Sequence, residues 1–250
     1  MDNIQKLAVP IAIVIAGVLI AGAVYFASIG PSTGADTNSI GRVPANAGAV
    51  NPPAQPSVNI EDVNIEDEPF IGDINAPVEL AYWSDHQCPF CKAVEVGGIP
   101  QIPITPAIPE LIRDYVDTGK LKIVFKDYPF LGPDSMTAAL YEHAVWELYP
   151  DKFYAWRKAL MAAQDEENAG FGDESSILEL TNGIAGMDGA QLKTLVAQKT
   201  EAYTKNIEAD REEGTSFGIR GTPGFILGTK LIAGAVGPEA FKSAIEEQLK

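Results

Sequence analysis

Trp83-Ser84-Asp85-His86-Gln87-Cys88-Pro89-Phe90-Cys91-Lys92 contains both of the cysteines in a 250-residue chain, two positions apart. The run before it, Val78-Glu79-Leu80-Ala81-Tyr82-Trp83, reads as a β-strand. Pro89 stands where a helix would begin, since its ring fixes φ and the N–H it lacks is unpaired there in any case. Cys88 is then predicted at the helix cap, where orphan N–H groups and the positive end of the dipole favour a thiolate. Cys91, one turn on, is the nearest sulfur that could close a ring with it.

Three other readings compete with a redox pair. A zinc site needs four ligands, and Cys88, Cys91, His86 and His143 are all the Cys and His residues in the chain, so every one of them would have to converge. A structural disulfide across so short a loop gains little, because its stabilisation grows with loop length. Two unrelated buried cysteines fit poorly with Pro89 between them at a helix start. For the neighbours, Asp85 is predicted to cap a turn or helix. His86 is either a cation that assists the thiolate or an exposed loop residue. His143 is expected to be structural, and Lys126-Asp127 to end a strand facing solvent.

Far along the chain, Phe217-Gly218-Ile219-Arg220-Gly221-Thr222-Pro223-Gly224-Phe225-Ile226-Leu227 sets a Gly-Thr-Pro just before a strand. Together with the cysteine pair, the lead-in Glu68-Pro69-Phe70-Ile71-Gly72-Asp73-Ile74-Asn75-Ala76-Pro77 and the later Phe125-Lys126-Asp127-Tyr128-Pro129, it resembles the DsbA-like branch of the thioredoxin superfamily over about residues 60–250. The resemblance implies an α/β thioredoxin fold with a helical insertion, and a cis Pro223 facing the cysteines. It also implies thiol–disulfide exchange, with Cys88 the accessible attacking sulfur and Cys91 the buried resolving one. Thr222 and Pro223 would border Cys88 and bind an extended client. No cofactor and no metal are expected. Two departures bear on redox tuning. The middle dipeptide Pro89-Phe90 has no histidine to stabilise the thiolate. Where members often carry an acid as proton relay, six residues before the first cysteine, this chain has Tyr82; Leu80 shares its strand face, so no carboxylate replaces the acid on that strand.

Outward from this core, residues 7–29 are uncharged and long enough to cross a hydrocarbon layer about 30 Å thick. Residues 1–29 are read as an uncleaved single-pass anchor, longer than the ~7–15 residues of a signal-peptide apolar region. Lys6 before the span, with no base after it until Arg42, points the N-terminus inward and the rest outside the cytoplasm. Residues 30–58, rich in Gly, Pro, Ser, Ala and Asn, read as a flexible linker with a reach of roughly 30 Å. Residues 59–250 form the thioredoxin-like domain.

The formal charge of −16 belongs to residues 61–250, because residues 1–60 hold two acids and two bases. An acidic exterior argues against nucleic-acid or anionic-membrane-surface partners. After Cys91 the helix is expected to stop at Gly97-Gly98. Pro100, Pro103, Pro106 and Pro109 then recur every third residue and predict a stiff loop beside the site. Ile108, Leu111, Ile112, Tyr115 and Val116 mark one helix face, ended by Gly119, and Leu121 to Phe125 is a strand pairing in parallel with the first. Residues 134–216 read as the helical insertion, with Asp134 and Asp188 as caps. Two short strands around Gly228-Thr229 and a last amphipathic helix complete the chain.

On the compartment logic, oxidation of exported proteins, recharged by a quinone-linked membrane partner, is the first reading. A reductase or isomerase, a tethered binding module using the groove beside Pro223, and a metal carrier through Cys88, Cys91 and His86 are the alternatives.

Overall fold

The structure is a computed structural model that describes residues 58–167 and 169–250. The anchor predicted at 1–29 and nearly all of the linker lie outside these residues. Val58, assigned by sequence to the end of the linker, is instead buried in the fold against the cluster that includes Trp83. Among the described residues, no helix is long and apolar enough to cross a membrane.

Five strands form one sheet in the order β1-β3-β2-β4-β5. Strand β1 (Phe70–Ile71) pairs antiparallel with β3 (Leu121–Asp127), and β3 runs parallel to β2 (Val78–Ser84). Helix α1 (Pro89–Glu95) and helix α2 (Ala107–Leu111) lie in the β2–β3 connection, as a parallel crossover requires. On the other side of β2 come β4 (Gly224–Leu227) and β5 (Lys230–Ala233), both antiparallel, before helix α7 (Glu239–Gln248).

Strand alternation splits the core in two. Leu80 and Tyr82 of β2, with Ile123 and Phe125 of β3, face α1, α2, α7 and the helical insertion; Ala81 and Trp83 face Val58, Val63, Tyr128 and Ile219. A central strand covered on both faces has little room for polar residues, and β2 is almost wholly buried.

The insertion consists of α3 (Pro133–Leu148), α4 (Phe153–Ala163), α5 (Glu174–Asn182) and the 28-residue α6 (Gly189–Ser216). Asp188 caps α6, accepting from the N–H groups of Ala190 and Gln191. Asp134 does not cap α3. Gly132 holds that position at φ 120°, with Pro133 at the first helical residue, so Asp134 falls inside the first turn. The helix face predicted from Ile108 to Val116 also needs amending, because after Leu111 the chain widens to a π-turn over Ile112–Val116.

The C-terminal half of α6 lies against β2 at Gly214. A Cβ there would come within 2.8 Å of the Trp83 ring nitrogen, and that nitrogen donates to the Asp210 carbonyl at 2.9 Å.

The expectation that Lys126 and Asp127 meet solvent is overturned. Both are buried, because α6 and the lead-in segment cover the end of β3. The Lys126 Nζ lies 2.5 Å from Asp210, 2.8 Å from Glu68 and 3.3 Å from Glu213. Burial by itself would lower the Lys126 pKa, but the charges of Asp210 and Glu68 hold it well above its ordinary value. With two acids sharing one cation, burial and the charge of Glu68 push Asp210 up to about 9. His143 is structural, as expected: it pairs with Asp127 at 2.7 Å and stacks on Tyr203.

Candidate active site

The loop between β2 and α1 is folded by Asp85. Its carboxylate accepts from the Gln87 N–H at 2.8 Å and from Phe130 and Leu131 at 2.9 and 3.1 Å, and its carbonyl accepts from the Cys88 N–H at 3.1 Å. This is the turn-capping role read from the sequence. The end of α4 grips the same loop from the far side, with the Gln164 amide donating to the carbonyls of His86 and Cys88 at 2.7 and 3.2 Å. Cys88 sits at the cap with extended backbone, and Pro89 opens the helix.

Both cysteines are free thiols. Cys88 is held down at about 7 chiefly by the hydrogen bond from the Cys91 thiol; burial works against this, while Thr222 and the N–H groups of Cys91 and Phe90 assist. Burial pushes Cys91 well above the usual thiol range, and the charge on Cys88 adds to the rise. The environments therefore divide the pair into a more acidic thiol at the helix cap and a less acidic one behind it. One expectation needs correction: Cys88 is not open to solvent. It is 2% exposed, packed with Met161 and partly covered by Val96 and Leu131.

Across from the pair lies the Thr222–Pro223 peptide, which is cis. The Cys88 thiol donates to the Thr222 carbonyl at 3.4 Å, which brings residues 134 positions apart in sequence into contact. Beside it runs a groove of about 530 Å³ lined by Phe90, Ile102, Pro223 and Leu231, among others. Ile102 belongs to the proline-rich loop, which thus borders the site as predicted. Phe90 is half exposed at its edge. A larger cavity, about 1100 Å³, opens near Trp146 and Glu147 but is lined by neither Pro223 nor Thr222, whose carbonyl meets Cys88, so the chemistry selects the smaller groove.

His86 is neither exposed nor a partner of the thiolate. Its Nε2 faces Glu142, and the residue is buried under Trp156, which meets it edge-on. With His86 on Glu142 and His143 on Asp127, the four-ligand convergence that a zinc site needs is not formed. Behind Cys91 lies a cluster that sequence reasoning missed. The Tyr82 hydroxyl donates to Glu95 at 3.0 Å; Arg157 binds Glu95 at 2.7 and 3.1 Å, Glu142 at 2.5 Å and the Ser84 hydroxyl at 2.6 Å. Arg157 also lies over the rings of Phe125 and Tyr82, at 4.4 and 5.4 Å from their centroids. Arg157 and His86 together hold Glu142 down at about 2 in spite of its burial. β2 carries no carboxylate on this face, but α1 does: Glu95 stands four residues after Cys91, on the same helix face. That spacing was the available signal.

The family model for thioredoxin matches residues 63–247. The chain belongs to the thioredoxin family. Within it, this thioredoxin-family chain is similar to Disulfide bond formation protein D of Bacillus subtilis (strain 168), 25% identical over 187 residues, which span 75% of this chain and 79% of that protein. Oxidised BdbD from Bacillus subtilis superposes with a TM-score of 0.66 at 24% identity, covering 78% of this chain and 98% of that one. The thiol-disulfide exchange protein alpha-DsbA2 from Wolbachia pipientis gives 0.61 at 26% identity, over 72% and 86%.

Proposed function

We propose that this chain is a thiol–disulfide oxidoreductase that introduces disulfides into exported proteins at Cys88-Pro89-Phe90-Cys91. The observation that carries this reading is the division of the buried pair into a low-pKa sulfur at the helix cap and a resolving thiol, set against cis-Pro223. In the oxidised protein a client thiolate attacks Cys88 Sγ. The bond to Cys91 breaks, and the electron pair stays on Cys91, which takes up a proton. A second client thiolate then attacks the client sulfur of the mixed disulfide, and Cys88 leaves as thiolate. The client loses two electrons and the pair gains them.

Thr222 and Pro223, with the groove beside Phe90, hold the client as an extended chain. Recognition through backbone pairing tolerates varied side chains. The domain works outside the cytoplasm, tethered by the segment at residues 1–29, and a quinone-linked membrane partner with its own disulfide restores Cys88–Cys91. The uncharged run at residues 7–29, with Lys6 before it, supports that placement. One feature favours the reductase or isomerase alternative: with Phe90 in place of a cationic residue, Cys88 settles at about 7 and no lower.

The test is disulfide transfer from the oxidised full-length protein to a reduced, unfolded two-cysteine substrate. Transfer is expected from the parent and not from Cys88→Ser; parental activity in that variant would refute the assignment. A reduction potential above about −180 mV supports the oxidant, and one near or below about −230 mV supports the reductase.

A further inference from the structure

The groove beside cis-Pro223 carries a single charge among the described residues that line it, that of Arg220; the rest are glycine or apolar, Thr222 apart. Arg220 is exposed, and among the described residues no carboxylate or other polar partner meets its guanidinium. In a chain with 34 acidic against 18 basic residues this is unexpected, and Lys126, Arg157 and Lys242 each hold two or more carboxylates. The backbone around Arg220 is fixed from both sides. The Ile219 N–H donates to the Gly214 carbonyl at 2.9 Å, and the Ile219 carbonyl accepts from the Tyr128 hydroxyl at 3.3 Å. Beyond it, the Pro223 carbonyl accepts from the Gly234 N–H at 2.8 Å. Thr222, whose carbonyl meets the Cys88 thiol, follows Arg220 by two residues, a span of at most about 7 Å. Two residues of an extended client cover the same distance, so Arg220 stands level with a side chain close to the client cysteine.

We propose that Arg220 determines client specificity: it selects chains with an aspartate or glutamate within two residues of the reacting cysteine, while Phe90, Ile102 and Leu231 take an apolar neighbour. The proposal rests on the exchange reaction above and alters none of its bonds; it names the segment that the groove holds best. Charge complementarity decides the occupant. A guanidinium presents a planar fork that a carboxylate meets with two hydrogen bonds. The apolar walls keep that pair drier than an ion pair on the open surface, which strengthens it. The overall charge of −16 pulls the other way, since at long range it repels acidic segments and attracts basic ones. At physiological ionic strength, however, charges farther apart than about 8 Å are largely screened, whereas a pair in contact is not. The local pair therefore wins, and the sign of the preference separates the two effects: Arg220 favours acidic clients, the overall charge basic ones.

The experiment gives oxidised full-length protein two reduced two-cysteine peptides, identical except that Glu or Lys flanks the cysteines, and measures how fast each peptide closes its disulfide at physiological salt. The readout is the Glu-to-Lys ratio of kcat/KM. A general loss of activity in a variant cancels within that ratio, and the peptides' own thiol reactivity cancels between variants. Arg220→Met should lower the ratio about fivefold, the size of a well-placed ion pair at an accessible site, and chiefly through KM. Arg220→Glu should lower it further, because a like charge then faces the acidic peptide. A parental ratio in both variants would overturn the role of Arg220 while leaving the exchange reaction intact. Failure of the parent to oxidise either peptide would overturn the exchange reading itself.

Discussion

If the Cys91 thiol is the chief stabiliser of the Cys88 thiolate, deleting that one donor should be visible in the titration of Cys88. The site holds Cys88 at about 7 against an ordinary 9.0. That difference amounts to about 3 kcal/mol in favour of the thiolate. Burial opposes ionisation, so the favourable contacts together exceed this net value. Cys91→Ala removes the largest of them and leaves Thr222 and the two backbone N–H groups against the same burial. The midpoint should therefore rise by at least one pH unit, a loss of about 1 kcal/mol or more. Cys91→Ser restores an O–H donor and should keep most of the depression. Each variant holds a single thiol, so ultraviolet absorbance of the thiolate against pH reads Cys88 alone. A Cys91→Ala midpoint still at or below 7 would show that Thr222 and the helix N-terminus hold the thiolate without the Cys91 donor.

Other consequences follow from the same contacts. Phe90→His places a cation at the edge of the thiolate; if it lowers Cys88 by one further pH unit, the reduced form gains about 1 kcal/mol at pH 7 and the potential rises by about 20 mV, measurable against glutathione. Gly214→Ala forces a methyl group to within 2.8 Å of the Trp83 ring, and the overpacking should cost about 1–3 kcal/mol in denaturant unfolding, beyond any gain in helix propensity. A parental midpoint would mean that α6 can move away from β2. Asp127 raises His143 from 6.5 to about 9 despite burial, so this pair adds stability that is complete below pH 6.5 and is lost as pH climbs to 9. The contribution is about 3 kcal/mol, and His143→Gln should flatten the decline in stability across that window. Asp210, raised to about 9, loses stability in the same direction, so part of the slope should remain in that variant.

The fold was legible where local chemistry and period agreed. The alternation of β2 and β3, the Pro89 start, Asp188 before α6 and the Gly228 turn each carry their cause in adjacent residues. The site was legible in Cys88, Cys91 and Pro223, because a sulfur pair at a helix cap and a Gly-Thr-Pro before a strand are short, specific patterns. The polar groups around them were not. Lys126 and Asp127 look like a solvated strand end until α6, more than 80 residues later, returns to cover them with Asp210 and Glu213. His86 looks like a loop residue until α3 brings Glu142 beneath it. In both cases a polar side chain judged by its sequence neighbours found its partner on an element whose position only the tertiary fold determines.

The electrostatics also bear on the direction of exchange. A thiol with a midpoint of about 7 is only half ionised at neutral pH, so relative to an ordinary thiol it favours the reduced form there by less than about 1 kcal/mol, or on the order of 10 mV. That is too little to drive client oxidation on its own. If clients are oxidised, the drive comes from the supply of partner disulfide, and the protein contributes rapid passage of electrons. The Cys88 thiolate itself relies chiefly on the Cys91 thiol, with Thr222 and backbone N–H groups assisting, so the site stabilises it without a neighbouring cation. The demand on this site is then kinetic. Phe90→His, which acts on the Cys88 thiolate alone, should accordingly change the potential of the pair far more than the rate at which Cys91 closes the ring.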